Sequence, residues 1–113
     1  GDLLKKTRHF ALFKENTLIS AISLIESKNP IRTLQFRGMF TRKEFLRKGY
    51  GKKLIEFVIK DSRKKKYQIL WCNSRESAIN FYKKFGFSSK GSLFLVQHLG
   101  LHIKLVKYLR DEN

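Results

Sequence analysis

An α+β fold, with a mixed and mostly antiparallel sheet flanked by helices, is predicted from three features of the sequence. Strand-like runs rich in apolar and β-branched residues stand in pairs at both ends of the chain. The middle alternates between helix-period and strand-type segments. Between the first strands and the first helix stands Lys48-Gly49-Tyr50-Gly51, where one period gives way to the other.

The elements follow in order. Phe10–Phe13 and Leu18–Ile25 read as the two strands of a hairpin, with Lys14-Glu15-Asn16 as its polar turn. Lys28-Asn29-Pro30 breaks the second strand, and Ile31–Phe40 alternates well enough for a third. After the glycines, Leu54, Ile55, Val58 and Ile59 recur at helical spacing and form one apolar face, while Lys52, Glu56 and Lys60 step along the other as i,i+4 neighbours. Ser62–Lys66 reads as a basic connector, and Tyr67–Cys72 as a buried, partly parallel strand. Ser74 is placed to cap a second helix whose inward stripe is Ala78, Ile79, Tyr82 and Phe85; Lys83 and Lys84 suit its last turn, and Gly86 its left-handed stop. Ser92–His98 and Leu101–Tyr108, joined through Gly100, are the closing strand pair, and Leu109–Asn113 a polar tail.

At 113 residues the chain reads as a single domain, residues 1–113, because two cores would leave each half too little apolar surface to bury. The 42% apolar share excludes a disordered polyelectrolyte, although 25 Lys plus Arg stand against 9 Asp plus Glu for a net charge of +16. Such a field gathers anions, and nucleic acid is not excluded as a partner by charge. Cys72 is the single cysteine, so no internal disulfide forms, which suits a reducing, cytoplasmic setting. No apolar run reaches the ~20 residues that span a bilayer, so no membrane role is expected.

A Gly-x-Gly turn that opens a helix leaves backbone N–H groups unpaired at the positive end of the helix dipole, and such a turn binds phosphate. Arg47, Lys48, Lys52 and Lys53 add charge around it. The same glycines also suit close packing of helix on sheet. The turn lacks both the nucleoside-triphosphatase pattern and the three glycines of the dinucleotide fingerprint, so a different phosphate-bearing cofactor is indicated.

Phe45-Leu46-Arg47-Lys48-Gly49-Tyr50-Gly51-Lys52-Lys53-Leu54 resembles the acyl-CoA motif of GNAT acetyltransferases, and Ala78-Ile79-Asn80-Phe81-Tyr82-Lys83-Lys84-Phe85-Gly86-Phe87 resembles their second motif. Trp71-Cys72-Asn73-Ser74-Arg75 and Gly100-Leu101-His102 are similar to a bacterial subgroup, so the likeness runs from about Phe10 to the C-terminus. The resemblance implies an N-acetyltransferase that moves an acetyl group from acetyl-CoA to a primary amine, on a small molecule or a protein. It implies that Leu46, Arg47, Lys48, Gly49, Tyr50, Gly51 and Lys52 hold the pyrophosphate, and that Met39, Phe40 and Thr41 pair through their backbone with the pantetheine arm. Asn73 and Tyr82 complete the cofactor contacts.

Tyr82 matches the tyrosine that assists the departing thiolate in many relatives, although the stripe alone would also make it an ordinary core aromatic. His102, on the last strand, is the second catalytic candidate, as a proton acceptor; a lone strand histidine also serves as a wall residue. Two departures stand out. Leu46 occupies a place that is usually Gln or Arg, and Gln35 one that is Glu in some relatives, which removes that general base. The strand and helices that usually precede the hairpin in the family are not recognisable, so an upstream segment or a homodimer partner is expected to complete the acceptor pocket. Two alternatives remain beside this reading: a basic nucleic-acid-binding module, and a CoA-binding GNAT domain without catalysis.

Overall fold

A computed structural model describes residues 6–27 and 31–109. The opening hairpin pairs β1 (Lys6–Lys14) with β2 (Thr17–Ser27). It closes through Glu15 and Asn16, whose φ angles of 49° and 69° are both left-handed. Two such residues in succession make a primed turn, whose twist matches that of the strands it joins. The third strand, β3 (Thr33–Thr41), lies antiparallel to β2. The break expected at Lys28-Asn29-Pro30 lies outside the described residues.

Beyond a single 3-10 turn at Lys43–Phe45, α1 (Tyr50–Lys64) crosses the sheet to β4 (Ile69–Arg75). A second 3-10 turn at Glu76–Ala78 leads into the short α2 (Ile79–Lys83), and the chain ends in the hairpin of β5 (Ser88–Val96) and β6 (Gly100–Tyr108). The six strands form one sheet in the order β1-β2-β3-β4-β6-β5. Among the described strands only β3 and β4 pair in parallel. The α+β architecture with a mixed, mostly antiparallel sheet is the one predicted.

Several local expectations are corrected. Ser62–Lys66 is not a connector throughout, because α1 runs on to Lys64; Ser62 falls on its buried face, and Asp61 pairs with Lys65 at 3.0 Å across the last turn. Ser74 does not cap a helix. It pairs with Ile103 inside β4, its hydroxyl donates to the Arg75 carbonyl at 2.9 Å, and no side chain caps α2. β5 begins at Ser88 rather than Ser92, since its ladder to β6 reaches Val106 through residues too polar to announce a strand. Leu109 is buried, with its N–H on the Gln68 carbonyl at 2.9 Å, so the polar tail does not start there.

Side chains alternate between the two faces of a strand, so pairing assigns each to a face. One face carries Ile22, Leu24, Leu34, Phe36, Leu70, Cys72 and Leu105, and α1 lays Leu54, Ile55, Val58 and Ile59 against it. The inward face of α1 is therefore the one its spacing predicts. Tyr82 of α2 and Phe87 join the same cluster, with Phe36 as their shared neighbour at ring distances of 5.4 and 5.7 Å. At the end of the sheet where β3 begins, Arg32 stacks on Tyr67 at 4.3 Å and reaches Glu26 at 3.7 Å. The Gln68 N–H donates to the Arg32 carbonyl there, at 2.9 Å. No helix among the described residues is long and apolar enough to cross a membrane.

Ile55 is fully buried and Glu56 beside it is exposed. Ile55→Ala should cost about 2–5 kcal/mol of unfolding free energy in a urea titration. Glu56→Ala should stay within about 0.5 kcal/mol of the parent.

Candidate active site

The parallel pair that joins the two halves of the sheet is short. Thr33, Leu34 and Gln35 of β3 face Ile69, Leu70 and Trp71 of β4, and there the pairing stops although both strands continue. Past Gln35, β3 follows β2; past Trp71, β4 follows β6. The strands part like the arms of a V. The side of β3 turned towards β4 therefore offers backbone groups from Phe36 to Thr41 with no strand opposite, which is the condition under which an extended ligand can add to a sheet.

A bulge bends β3 just where it leaves β4. Between Arg37 and Phe40 it spends three steps against two on β2, and Gly38 takes a left-handed φ of 64°. A glycine in that conformation is the signature of this kind of bulge. The extra residue resets the alternation, so Met39 packs on the core while Phe40 stays half exposed on the other side. Ser20 on β2 locks the arrangement, its hydroxyl donating to the Phe40 carbonyl at 2.7 Å and lying 3.0 Å from that of Thr41.

The glycine turn lies beside this opening. Arg47 and Gly49 are left-handed, at φ of 62° and 83°, and Gly49 is the N-cap of α1 with no side chain satisfying the helix start. The first helical bond runs from the Lys53 N–H to the Gly49 carbonyl at 3.0 Å. The N–H groups of Tyr50, Gly51 and Lys52 precede it and face outwards by helix geometry. They open onto a cavity of about 350 Å³ whose lining includes Arg47, Gly49, Tyr50, Gly51 and Lys52 from the turn, and Met39, Phe40 and Thr41 from β3. No carboxylate among the described residues lines it.

A second cavity of about 550 Å³ occupies the V itself. Met39, Phe40 and Tyr82 line both, so the two cavities adjoin at these residues. The Tyr82 hydroxyl donates to the Met39 sulfur at 3.5 Å. Burial, followed by the proximity of Cys72, pushes this phenol well above its usual range, which keeps it a proton donor. A thioether is a weak acceptor, so the bond is easily exchanged for one to a stronger acceptor.

His102 lines the second cavity from β6. Opposite Arg75 in register, it projects on the sheet face away from α1. Its Nδ1 lies 3.0 Å from the Gly100 carbonyl. Since a carbonyl only accepts, Nδ1 donates in that bond, and Nε2 is the ring nitrogen left for another partner. Tyr82 and His102 thus approach one opening from opposite faces of the sheet.

The two cavities take in Met39, Phe40, Thr41, Leu46, Arg47, Gly49, Tyr50, Gly51, Lys52 and Tyr82 on the side of the turn, and Asn73 and His102 in the V. Lys48 does not line either; its ammonium sits 5.9 Å from the Phe45 ring. Phe45 and Phe81 in the first cavity, and Arg37 and Arg75 in the second, were not among the expected site residues, although Phe45, Phe81 and Arg75 stand within the motifs. Gly38 within a strand was the one local signal for the bend beside them.

Comparison with known proteins agrees with this geometry. A family profile described as an acetyltransferase (GNAT) domain matches residues 2–107. The chain is 30% identical over 109 residues to the uncharacterized N-acetyltransferase YitI of Bacillus subtilis (strain 168), covering 93% of this chain and 73% of that one. A solved Lactobacillus plantarum structure assigned as an N-acetyltransferase superposes with a TM-score of 0.82 at 15% identity, over 93% of this chain and 70% of that one. The crystal structure of an aminoglycoside 6'-N-acetyltransferase complexed with coenzyme A gives 0.78 at 12% identity, over 95% and 75%.

Burial pushes the Cys72 thiol from 9.0 up to about 12. At pH 8 the native thiol stays protonated. Iodoacetamide should therefore spare Cys72 in the native protein and label it on unfolding in urea, read by mass spectrometry. The sign for stability follows: the contribution of the buried thiol is whole below pH 9 and is lost as pH rises towards 12. Unfolding free energy should fall more steeply over that range in the parent than in Cys72→Ala.

Proposed function

The chain belongs to the GNAT family of acetyltransferases, and from that membership and the cleft geometry we propose that it is an acetyl-CoA-dependent N-acetyltransferase acting on a primary amine by direct attack. The observation that supports this best is that two cavities adjoin at Met39, Phe40 and Tyr82, one beside the cation-lined turn at the start of α1 and one in the V between β3 and β4.

The residues fit such a cofactor. Free N–H groups at Tyr50, Gly51 and Lys52, with Arg47 and Lys52 beside them, suit a pyrophosphate. The unpaired side of β3 suits the amides of a pantetheine arm, and the coenzyme A complex of the aminoglycoside acetyltransferase lends support from a protein of the same fold.

Acetyl-CoA supplies the activated thioester: a bond forms between the amine nitrogen and the acetyl carbon, the carbon–sulfur bond breaks, and CoA leaves as its thiol. A backbone N–H of the Met39 to Thr41 strand, on its unpaired side, polarises the carbonyl oxygen. Tyr82, held protonated by burial, gives its proton to the departing sulfur. His102 Nε2 or water takes the proton that the amine loses, in the role Gln35 cannot fill. Cys72 takes no part, since its buried thiol is a poor nucleophile.

Two measurements test the reading. Calorimetry at low salt should show CoA binding in the parent and in Tyr82→Phe alike. Thiol release from acetyl-CoA with a panel of amines should fall by about 100-fold in kcat for Tyr82→Phe. Absence of any heat with CoA would remove the acyltransferase reading, and unchanged kcat would remove Tyr82 from the mechanism.

A further inference from the structure

We propose that the acceptor amine also carries an anionic group, a carboxylate or a phosphate, and that Arg37 and Arg75 hold that group on the sheet face opposite α1. The inference rests on the acyltransferase reading and names the chemistry of its second substrate.

The two arginines stand on the two arms of the V. Arg37 lies two residues beyond Gln35 and Arg75 four beyond Trp71, the last residues that tie β3 to β4. An even spacing keeps each on the face of its own reference residue, so both project on the same side, together with His102 opposite Arg75. That is the side away from the cluster under α1, so Arg37 and Arg75 line the cavity from the face that the glycine turn does not occupy.

Both side chains are available. Arg37 and Arg75 are exposed, and neither has an ion-pair partner among the described residues. Among the described residues no Asp or Glu lines the cavity, whereas Arg42 and Arg32 elsewhere have Glu44 and Glu26 at 3.4 and 3.7 Å. Two guanidinium groups left facing one opening repel each other and any polycation that enters it. An anion relieves that repulsion, and the guanidinium fork matches the oxygens of a carboxylate or phosphate. Half-exposed Phe40 and Leu99 supply apolar wall beside them.

The same charges serve the chemistry. Only a neutral amine attacks a thioester, and fixed cations near the bound nitrogen disfavour its ammonium form. The arginines thereby offset part of what is lost with a glutamine at position 35, without touching the reacting atoms. Their role is to position the acceptor and to select it.

Matched amines provide the test. Thiol release at saturating acetyl-CoA is measured for β-alanine, its neutral amide and trimethylenediamine, and for O-phosphoethanolamine against ethanolamine. Ligand-observed NMR ranks the binding of the same amines to the protein with and without CoA. The anionic members should lead their neutral and cationic counterparts by about tenfold or more in kcat/KM, with the same order in binding. The double variant Arg37→Gln, Arg75→Gln should erase the lead while the KM for acetyl-CoA stays unchanged, and Arg37→Lys should keep part of it. Lys60→Gln, on the outer face of α1, removes a charge elsewhere and should leave the order intact. The proposal is overturned if neutral or dicationic amines do as well, if the order survives the double variant, or if the variants raise the KM for acetyl-CoA instead. Failure of CoA to bind would sink the acyltransferase reading alone, because the NMR ranking without CoA still decides the anion preference.

Discussion

Everything that gives this chain a cleft depends on three residue pairs. β3 and β4 hold each other only over Thr33–Gln35 and Ile69–Trp71, and each then stays with its outer neighbour. A sheet normally satisfies its backbone by continuous pairing, so an interior gap leaves donors and acceptors without a strand partner. The gap is held open from several sides. Arg32, Tyr67 and Glu26 gather at the end where the strands meet, the bulge at Gly38 bends β3, and Phe36, Tyr82 and Phe87 pack together beside the opening. Rigidity at one end and a wedge of aromatic rings near the other keep the unpaired edge from closing on itself.

The local parts of this design are legible in the sequence, and the non-local ones are not. The hairpin turn at Glu15-Asn16, the inward face of α1 and the left-handed stop at Gly86 are each decided within a few residues, so composition and spacing suffice to find them. The glycine turn belongs to the same class. The gap between β3 and β4 does not, because pairing of Gln35 with Trp71 followed by its abrupt end is a relation between segments 36 residues apart (71 − 35 = 36). Ser74 shows how tertiary context overrides local preference. Its type and position suit a helix cap, yet pairing with Ile103 in the ladder to β6 carries it into a strand. The lower edge of β5 failed for a related reason: Ser88 and Ser89 are strand residues only because Val106 and Leu105 lie opposite them.

Arg37 and Arg75 were invisible for another reason. In a chain with 25 basic residues, no single arginine stands out. Only the register, which sets both on the same face of the parted strands, separates them from the solvated background. The excess of positive charge is thus not uniform in consequence. Where it lines the two cavities, no carboxylate among the described residues accompanies it.

The common boundary of the two cavities has a kinetic meaning. Met39, Phe40 and Tyr82 stand between the two cavities, one beside the helix start and one in the V between the strands. Under the proposed function, donor and acceptor would come in by separate cavities and meet at that boundary. Neither would obstruct the other's entry, nor would a spent carrier have to depart before the second reactant arrives. The architecture accordingly favours a ternary complex over a ping-pong cycle, and it does so without any nucleophile of the protein's own.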